Sequence, residues 1–213
     1  MILDWPGCRN VRDLGGLPTV QGGRTASGAL IRSDCHSRLT AGGVRAVRAL
    51  GVARILDLRW SAECARNGSP FAADPVYRHV PLLEDELSYE PPADTYAPML
   101  DHNRNRIALA FRALAEAPEG AVVVHCRGGR DRTGGLVALA LGAAGVEPEA
   151  IAADYAITKD TDPAAMRATF AHLDARYRGV AAYLREIGVT PAEIDRVRDR
   201  LTSGAVSRSG VRE

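Results

Sequence analysis

The sequence predicts an α/β fold in which a central, mostly parallel sheet is flanked by helices and followed by a helical C-terminal part. A continuous apolar run at 121–124 is typical of a strand buried on both faces. Candidate strands and helices alternate from residue 29 to residue 141, as they do in parallel sheets covered by helices. Residues 148–201 show only the apolar spacing of helices.

Length and composition are those of one globular domain. The chain has 213 residues, of which 46% are hydrophobic and 25% charged, and its formal net charge is +1. We expect one domain over residues 1–201 and a flexible tail over 202–213, where apolar periodicity is absent. The overall charge gives no indication of nucleic-acid binding, so nucleic acid is not an expected partner. The oligomeric state is left open.

The cysteines and the N-terminal residues give indications of the cellular compartment of the protein. The four cysteines, Cys8, Cys35, Cys64 and Cys126, are scattered, which argues against a disulfide framework or a zinc site. Residues 1–16 lack the pattern of a signal peptide, and no integral membrane segment is evident. We therefore expect a cytoplasmic protein, with export that needs no signal peptide as an open alternative.

The first half of the chain begins with an irregular, glycine-rich segment at 1–28. Short strands are expected at 29–32, 52–59 and 75–83. Thr40 is the expected N-cap of a helix that ends at Leu50, and Ser61 begins a short helix. The stretch 84–98 is acidic and rich in proline, which predicts a long functional or mobile loop.

The second half begins with a helix expected at 102–114, which Pro118 and Gly120 separate from the central strand. The helix after that strand is expected to end at Gly145. Further helices are expected at 148–157, 163–177 and 179–188. Thr190 opens a capping box with proline at the first helical position, which predicts a last helix that ends at Leu201.

The loop that joins the central strand to its helix carries the strongest functional signal. Five residues separate Cys126 from Arg132. A cysteine attacks as its thiolate, and a helix N-terminus with nearby cations favours that form. Gly128 and Gly129 allow the backbone N–H groups to form a nest for an oxyanion, and the Arg132 guanidinium can hold two phosphate oxygens. The pattern predicts a nucleophile that attacks phosphorus.

The sequence His-Cys-(five residues)-Arg-Thr-Gly at 125–134 resembles the signature loop of the cysteine-dependent protein tyrosine and dual-specificity phosphatases. Gly-Arg-Asp-Arg-Thr-Gly at 129–134 resembles the loop of a bacterial branch of the mycobacterial tyrosine phosphatase B type, with Arg130 in place of lysine. Asn-x-Arg-Asp-Leu-Gly-Gly at 10–16 is similar to a segment of the same branch. The resemblance implies a phosphatase-type strand, phosphate loop and helix, and hydrolysis of phosphomonoesters through a phosphocysteine intermediate. We expect neither a metal ion nor a cofactor.

These motifs predict roles for individual residues. Cys126 is the expected nucleophile, Arg132 holds the transferring oxygens, and Thr133 helps the sulfur to leave. The expected phosphate-binding residues are Arg127, Gly128, Gly129, Arg130, Asp131 and Arg132. His125 is expected to brace the loop through a hydrogen bond to the backbone.

Two aspartates compete for the role of general acid. Asp131 lies inside the loop, where the charge of phosphate favours its protonated form, and the related branch is thought to use this position. Asp85 follows the third strand, where the wider family carries its acid on a mobile loop, although the usual Trp-Pro-Asp is absent. Asp131 is preferred, with stiffening of the loop as its alternative role, and a solvated tip is the alternative for Asp85.

Polar residues elsewhere are candidates for support of the site. Asp57 and Arg59 end the second strand, where ligands bind in open α/β sheets, so Arg59 faces the phosphate loop or pairs with Asp57. Asp13 and its neighbours at 10–16 form a surface turn with an Arg–Asp pair or, as the second interpretation, support the site from behind. Cys35 is a small buried residue or a second thiol that traps the nucleophile as a disulfide.

The expected partner is a phosphorylated protein or a phosphoinositide. Phosphotyrosine is the first substrate class, with phosphoserine and phosphothreonine as further candidates. Arg127 and Arg130 add more positive charge than one phosphate needs, which makes phosphoinositides a further candidate substrate. A catalytically weak phosphate-binding module and a rhodanese-type sulfurtransferase remain alternatives, and the Arg-Thr-Gly ending argues against the second.

Overall fold

The computed structural model describes residues 1–90 and 92–203. The strands are β1 (Arg12–Asp13), β2 (Leu30–Ser33), β3 (Val52–Asp57), β4 (Tyr77–His79) and β5 (Ala121–His125). The helices are α1 (Ala41–Ala49), α2 (Ser61–Arg66), α3 (Ala97–His102), α4 (Arg104–Ala115), α5 (Asp131–Ala143), α6 (Pro148–Ala156), α7 (Pro163–Tyr177), α8 (Val180–Glu186) and α9 (Pro191–Thr202). Most of the tail expected at 202–213 lies outside the described residues, and Thr202 belongs to α9.

The described strands form one five-stranded sheet in the order β1-β2-β5-β3-β4. Only β1 is antiparallel to its neighbour. The predicted α/β fold with a mostly parallel sheet is therefore confirmed. His125 at the end of β5 pairs with Ser33 on one side and with Asp57 on the other. The segments that follow β2, β3 and β5 consequently meet at one edge of the sheet, around the loop after Cys126.

Alternation of side chains along β5 divides the core between the two faces of the sheet. Val122 and Val124 pack in the larger cluster, which includes apolar residues of α4 and α5. Val123 packs in the smaller cluster with Ile55 of β3 and Val47 of α1. Burial on both faces stabilises β5, because apolar surface that is removed from contact with water lowers the free energy of the folded state in proportion to its area. The loop therefore starts from a rigid strand.

Helix α5 runs through the core, and most of its residues are buried. It begins at Asp131. Asp131 thus lies in the first helical turn, where the N–H groups have no partner within the helix. Among residues 1–90 and 92–203, no helix combines the length and the apolar character that crossing a bilayer requires.

Two expected elements differ in the structure. The long loop predicted at 84–98 gives way to α3 at Ala97, and the helix predicted at 102–114 is interrupted at Asn103. The Asn103 side chain donates to the carbonyl oxygen of Met99 and accepts from the N–H of Glu84, which is how asparagine competes with helical hydrogen bonds. The third strand covers only Tyr77–His79, since the proline two residues later has no N–H to donate to the ladder.

Candidate active site

The loop between β5 and α5 opens into a cavity of about 610 Å³. Cys126 and Arg132 both line this cavity, so the two ends of the loop share one concave site. We call it the phosphate cavity. Its lining also includes Arg127, Gly128, Arg130 and Asp131 of the loop, and Arg9, Asn10, Asp34, Arg38, Thr158 and Lys159 from other segments. Cations predominate around Cys126, as binding of an anion requires.

The carbonyl oxygens of the loop are held by residues outside it. The N–H of Cys35 donates to the carbonyl oxygen of Arg127 at 3.0 Å. The Asn10 side-chain amide donates to the carbonyl oxygens of Gly128 and Gly129, both at 3.1 Å. Each of these three carbonyl oxygens therefore accepts a hydrogen bond from a residue outside the loop.

The N–H groups of the same loop are free. Within the part of the chain that the structure describes, the N–H groups of residues 127–130 donate to no other residue. Gly129 has a φ of +66°, and a Cβ at this position would meet the carbonyl oxygen of Ser33 at 2.4 Å. Glycine is required there, and the turn that it permits leaves a row of N–H donors available for an oxyanion.

A buried ionic network holds the loop from behind. Arg32 donates to the carbonyl oxygen of Gly129 at 2.7 Å and pairs with Asp154 at 3.0 Å. Arg12 pairs with the same carboxylate at 2.8 Å and donates to the side chain of Asn10. The motif at 10–16 thus reaches the phosphate loop through Asn10 and Arg12. The surface turn with an internal Arg–Asp pair does not form, because both Arg12 and Asp13 are buried.

Glu63 is a site residue that the sequence analysis missed. Both of its oxygens accept from the Arg132 guanidinium, at 2.5 and 3.1 Å, and Oε2 also accepts from the N–H of Trp60. The Arg132 guanidinium lies 4.8 Å from the centre of the Trp60 ring. Partial burial opposes ionisation of Glu63, but the hydrogen bonds from Arg132 and Trp60 hold its pKa below the ordinary value. The signal in the sequence was a glutamate at the third position of a short helix after a strand end.

Asp131 is bound by two side chains. The Tyr96 hydroxyl donates to Oδ1 of Asp131 at 2.7 Å, and Arg130 Nε donates to both oxygens at 3.1 and 3.2 Å. The charge of Asp131 raises the pKa of the Arg130 guanidinium. The Tyr96 hydroxyl also contacts the hydroxyl of Tyr155. Asp131 is therefore oriented by hydrogen bonds before any substrate is present.

His125 and Thr133, which were predicted to support Cys126, differ in the contacts that they make. Nδ1 of His125 lies 3.2 Å from the carbonyl oxygen of Cys126, and since a carbonyl only accepts, this nitrogen carries the proton. The imidazole thus contacts the backbone at the start of the loop. The Thr133 hydroxyl is fully buried and has no hydrogen-bond partner among the described residues, so it makes no hydrogen bond to the sulfur that it was expected to help leave.

The polar residues at the end of β3 lie behind the cavity and do not line it. Asp57 pairs with Arg59 through both carboxylate oxygens and accepts from the Tyr77 hydroxyl at 2.8 Å. Burial would raise the pKa of Asp57, but the Arg59 hydrogen bonds outweigh it and hold the pKa well below its usual range. Arg59 also donates to the sulfur of Cys35 at 3.1 Å. Of the two interpretations of Arg59, the structural pair is the one observed.

Two predicted site residues lie away from the phosphate cavity. Asp13 accepts from the N–H groups of Gly15 and Gly28 and stabilises the turn that follows β1. Asp85 is exposed on the segment after β4 and does not line the cavity. The described residues contain no cluster of histidine, cysteine, aspartate and glutamate that could hold a metal ion.

A second cavity, of about 460 Å³, adjoins the first at Arg130, Asp131 and Arg132. We call it the aromatic cleft. Its apolar lining includes Trp60, Leu83, Leu87, Tyr89, Tyr96, Met99 and Tyr155. The loop cations and Asp131 thus separate an electropositive cavity from a cleft suited to an aromatic or aliphatic group.

Comparison with known proteins identifies this arrangement. The model of the tyrosine phosphatase family matches residues 3–162 and 160–203. The chain belongs to the tyrosine phosphatase family. It is accordingly a protein tyrosine or dual-specificity phosphatase, and the reaction of this family proceeds through a phosphocysteine. The predicted family and the predicted phosphatase activity are confirmed, and the alternatives of a weak binding module and a sulfurtransferase are set aside.

Curated relatives of this phosphatase are bacterial. A tyrosine-protein phosphatase of Nostoc commune is 29% identical over 217 residues, which cover 81% of this chain and 74% of the relative. The triple specificity protein phosphatase PtpB of Mycobacterium tuberculosis is 28% identical over 199 residues, or 76% of this chain and 71% of the relative. A putative tyrosine-protein phosphatase of Cupriavidus necator is 29% identical over 160 residues, or 68% and 59%.

Proposed function

We propose that the phosphatase uses Cys126 as its nucleophile and Arg132, with the loop N–H groups, as the clamp for the phosphoryl oxygens. The observation that carries this assignment is the shared cavity of Cys126 and Arg132, around a loop whose N–H groups have no internal partner. In the first step the sulfur bonds to phosphorus while the leaving-group oxygen departs. The three equatorial oxygens meet preorganised donors, which stabilise the transition state most.

Asp131 is the general acid in this proposal. It lines both the phosphate cavity and the aromatic cleft, so it stands between phosphorus and the place of the leaving group. Its proton passes to the leaving-group oxygen as the P–O bond breaks. In the second step a water attacks phosphorus, gives its proton to Asp131 and releases the Cys126 thiolate. Asp85, exposed and outside the phosphate cavity, is the less favoured candidate.

We propose phosphotyrosine as the principal substrate group. The aromatic cleft next to Arg132 offers the phenyl ring an apolar wall that a shorter phosphoserine side chain does not reach as well. Arg9, Arg127 and Lys159 line the phosphate cavity without an ion-pair partner among the described residues, which supports phosphoinositides as a second substrate class. The name of the mycobacterial relative, a triple specificity phosphatase, is consistent with such breadth.

A panel of phosphotyrosine, phosphoserine and phosphothreonine peptides and of phosphoinositides, assayed with a chelator present, tests both proposals. We expect the highest kcat/KM on phosphotyrosine peptides and loss of all activity in Cys126→Ser. A purified Cys126→Ser protein that still releases phosphate would contradict the assignment of the nucleophile. A preference for phosphoserine over phosphotyrosine would contradict the assignment of the aromatic cleft.

A further inference from the structure

The aromatic cleft contains a hydrogen-bonded pair of tyrosines that ends on the proposed general acid. The Tyr96 hydroxyl lies 2.7 Å from Oδ1 of Asp131, and it is also in contact with the Tyr155 hydroxyl. The two rings meet edge to face with their centres 5.9 Å apart. A hydroxyl that donates to a carboxylate can still accept from a second hydroxyl, so the chain runs from Tyr155 through Tyr96 to Asp131.

Both tyrosines are fixed by elements that do not belong to the phosphate loop. Tyr155 is buried in α6 and packs against the first turn of α5, where a Cβ at Gly134 would meet its ring at 3.2 Å. The N–H of Tyr96 donates to the Thr169 hydroxyl of α7 at 2.8 Å. The position of the Asp131 carboxyl is therefore fixed by contacts with α6 and α7 as well as by its own helix.

The two hydroxyls remain protonated at neutral pH. Burial is the largest influence, and it raises the pKa of Tyr96 far above its ordinary value and raises the pKa of Tyr155 as well. Both groups are therefore able to donate a hydrogen bond throughout the range in which phosphatases work.

We propose that Tyr96, backed by Tyr155, is a positioning residue that presents Asp131 to the leaving group. This inference rests on the proposed role of Asp131 as the general acid. Oδ1 accepts from both Tyr96 and Arg130, whereas Oδ2 accepts from Arg130 alone among the described residues, at 3.2 Å. The transferable proton therefore resides on Oδ2 and passes from there to the leaving-group oxygen as the P–O bond breaks. The hydrogen bond to Oδ1 strengthens as negative charge develops on the carboxylate, so it favours the transition state over the ground state. In the second step Oδ2 recovers a proton from the attacking water.

Leaving-group dependence tests the inference. Phenyl phosphate needs protonation of its leaving oxygen more than 4-nitrophenyl phosphate does, because phenolate is the stronger base. We expect Tyr96→Phe to lower kcat/KM on phenyl phosphate about tenfold and on 4-nitrophenyl phosphate less than about twofold, with unchanged inhibition by inorganic phosphate. Tyr155→Phe should change the same ratio in the same direction by a smaller factor. In an Asp131→Asn background, Tyr96→Phe should have no further effect.

A matched control is Tyr177→Phe, which also deletes a tyrosine-to-aspartate hydrogen bond, to Asp101 at 2.6 Å, outside both cavities. It should leave the ratio of the two rates unchanged. An equal loss on both substrates in Tyr96→Phe, or a loss that persists in the Asp131→Asn background, would contradict the role of Tyr96. Either result would leave the assignment of Asp131 as the general acid intact. If Asp131→Asn itself does not steepen the leaving-group dependence, the acid assignment fails and the inference fails with it.

Discussion

At the scale of single residues, the site depends on charges that are oriented before substrate arrives. Arg132 has a fixed direction because Glu63 takes two of its N–H groups and Trp60 lies against its plane. A guanidinium has five N–H donors, so three remain for the phosphoryl oxygens. Preorganisation of this kind lowers the reorganisation that the transition state would otherwise require.

Glu63→Gln should therefore weaken phosphate binding and slow the reaction together. The amide keeps its size but loses the charge, and it offers only one oxygen to Arg132. We expect kcat/KM on 4-nitrophenyl phosphate to fall by about 10- to 100-fold and inhibition by orthovanadate to weaken in parallel, in steady-state assays. Glu149→Gln removes a carboxylate that pairs with Arg167 on the surface, and this variant serves as the control. A Glu63→Gln enzyme with unchanged vanadate affinity would show that Arg132 needs no carboxylate to orient it.

The role of a single residue could be predicted from the sequence where that role depends on its neighbours in the chain. Cys126 and Arg132 were predicted because their spacing in one loop is itself the signal. Glu63 was missed, since its contact with Arg132 joins residues 69 positions apart and no local pattern encodes it. Arg59 had two interpretations because a guanidinium so near Asp57 in the chain can pair with it or face the loop. The contact with Cys35, which lies 24 positions away, is the part that no local pattern encodes.

At the scale of elements, the shape of the phosphate loop is imposed by its surroundings. Asn10 and Arg32 hold its carbonyl oxygens, and the ionic network of Arg12, Arg32 and Asp154 holds those donors in turn. Burial and, next, the positive charge of Arg12 lower the pKa of Arg32 to about 10, although Asp154 opposes the shift, and Arg32 stays charged at neutral pH. The strand β1 and the helix α6 therefore contribute to the site without touching phosphate.

The conformation of Gly129 offers a direct test at this scale. Gly129→Ala places a Cβ 2.4 Å from the carbonyl oxygen of Ser33 at a positive φ, so the loop must move. We expect at least about a 100-fold loss of kcat/KM, measured on 4-nitrophenyl phosphate, because displacement of the N–H donors by about 1 Å disturbs the clamp. Gly128→Ala, where a Cβ meets no atom within 4 Å, should lose much less activity. Equal losses in the two variants would show that the loop shape does not depend on the left-handed residue.

Elements with strong local signals were predicted well, and those that depend on distant contacts were not. The buried strand β5 and the capping box of α9 have their determinants in adjacent residues. The start of α3 and the break at Asn103 were missed, because the Asn103 side chain binds Glu84, 19 positions away. The prolines and charges of the segment 84–98 predict a loop, and these local features do not encode the contact of Asn103 with Glu84.

At the scale of the whole molecule, two buried histidines couple stability to pH. His36 and His125 stack with their ring centres 4.2 Å apart beneath the phosphate loop. Burial is the largest influence on both and lowers their pKa below the ordinary 6.5, although Asp57 opposes the shift. The folded protein therefore keeps these rings neutral under conditions in which the unfolded chain binds protons.

The sign of the effect follows from linkage. Below pH 6.5 the unfolded chain binds more protons than the folded protein, so the free energy of unfolding falls as the solution is acidified. The slope approaches about 1.4 kcal/mol per pH unit for each imidazole. Urea unfolding between pH 7.5 and pH 5 measures it, and His36→Gln should reduce the slope while the exposed His102→Gln leaves it intact. A stability independent of pH in that range would contradict the neutral, buried state of the pair.

The central claim is that Cys126 forms the covalent intermediate inside the cavity that it shares with Arg132. Rapid acid quench of the enzyme during turnover of a ³²P-labelled phosphotyrosine peptide, followed by proteolysis, tests it most directly. We predict radiolabel on the peptide that contains Cys126 and none on the Cys126→Ser protein. Label on any other residue, or steady turnover by Cys126→Ser, would contradict the mechanism.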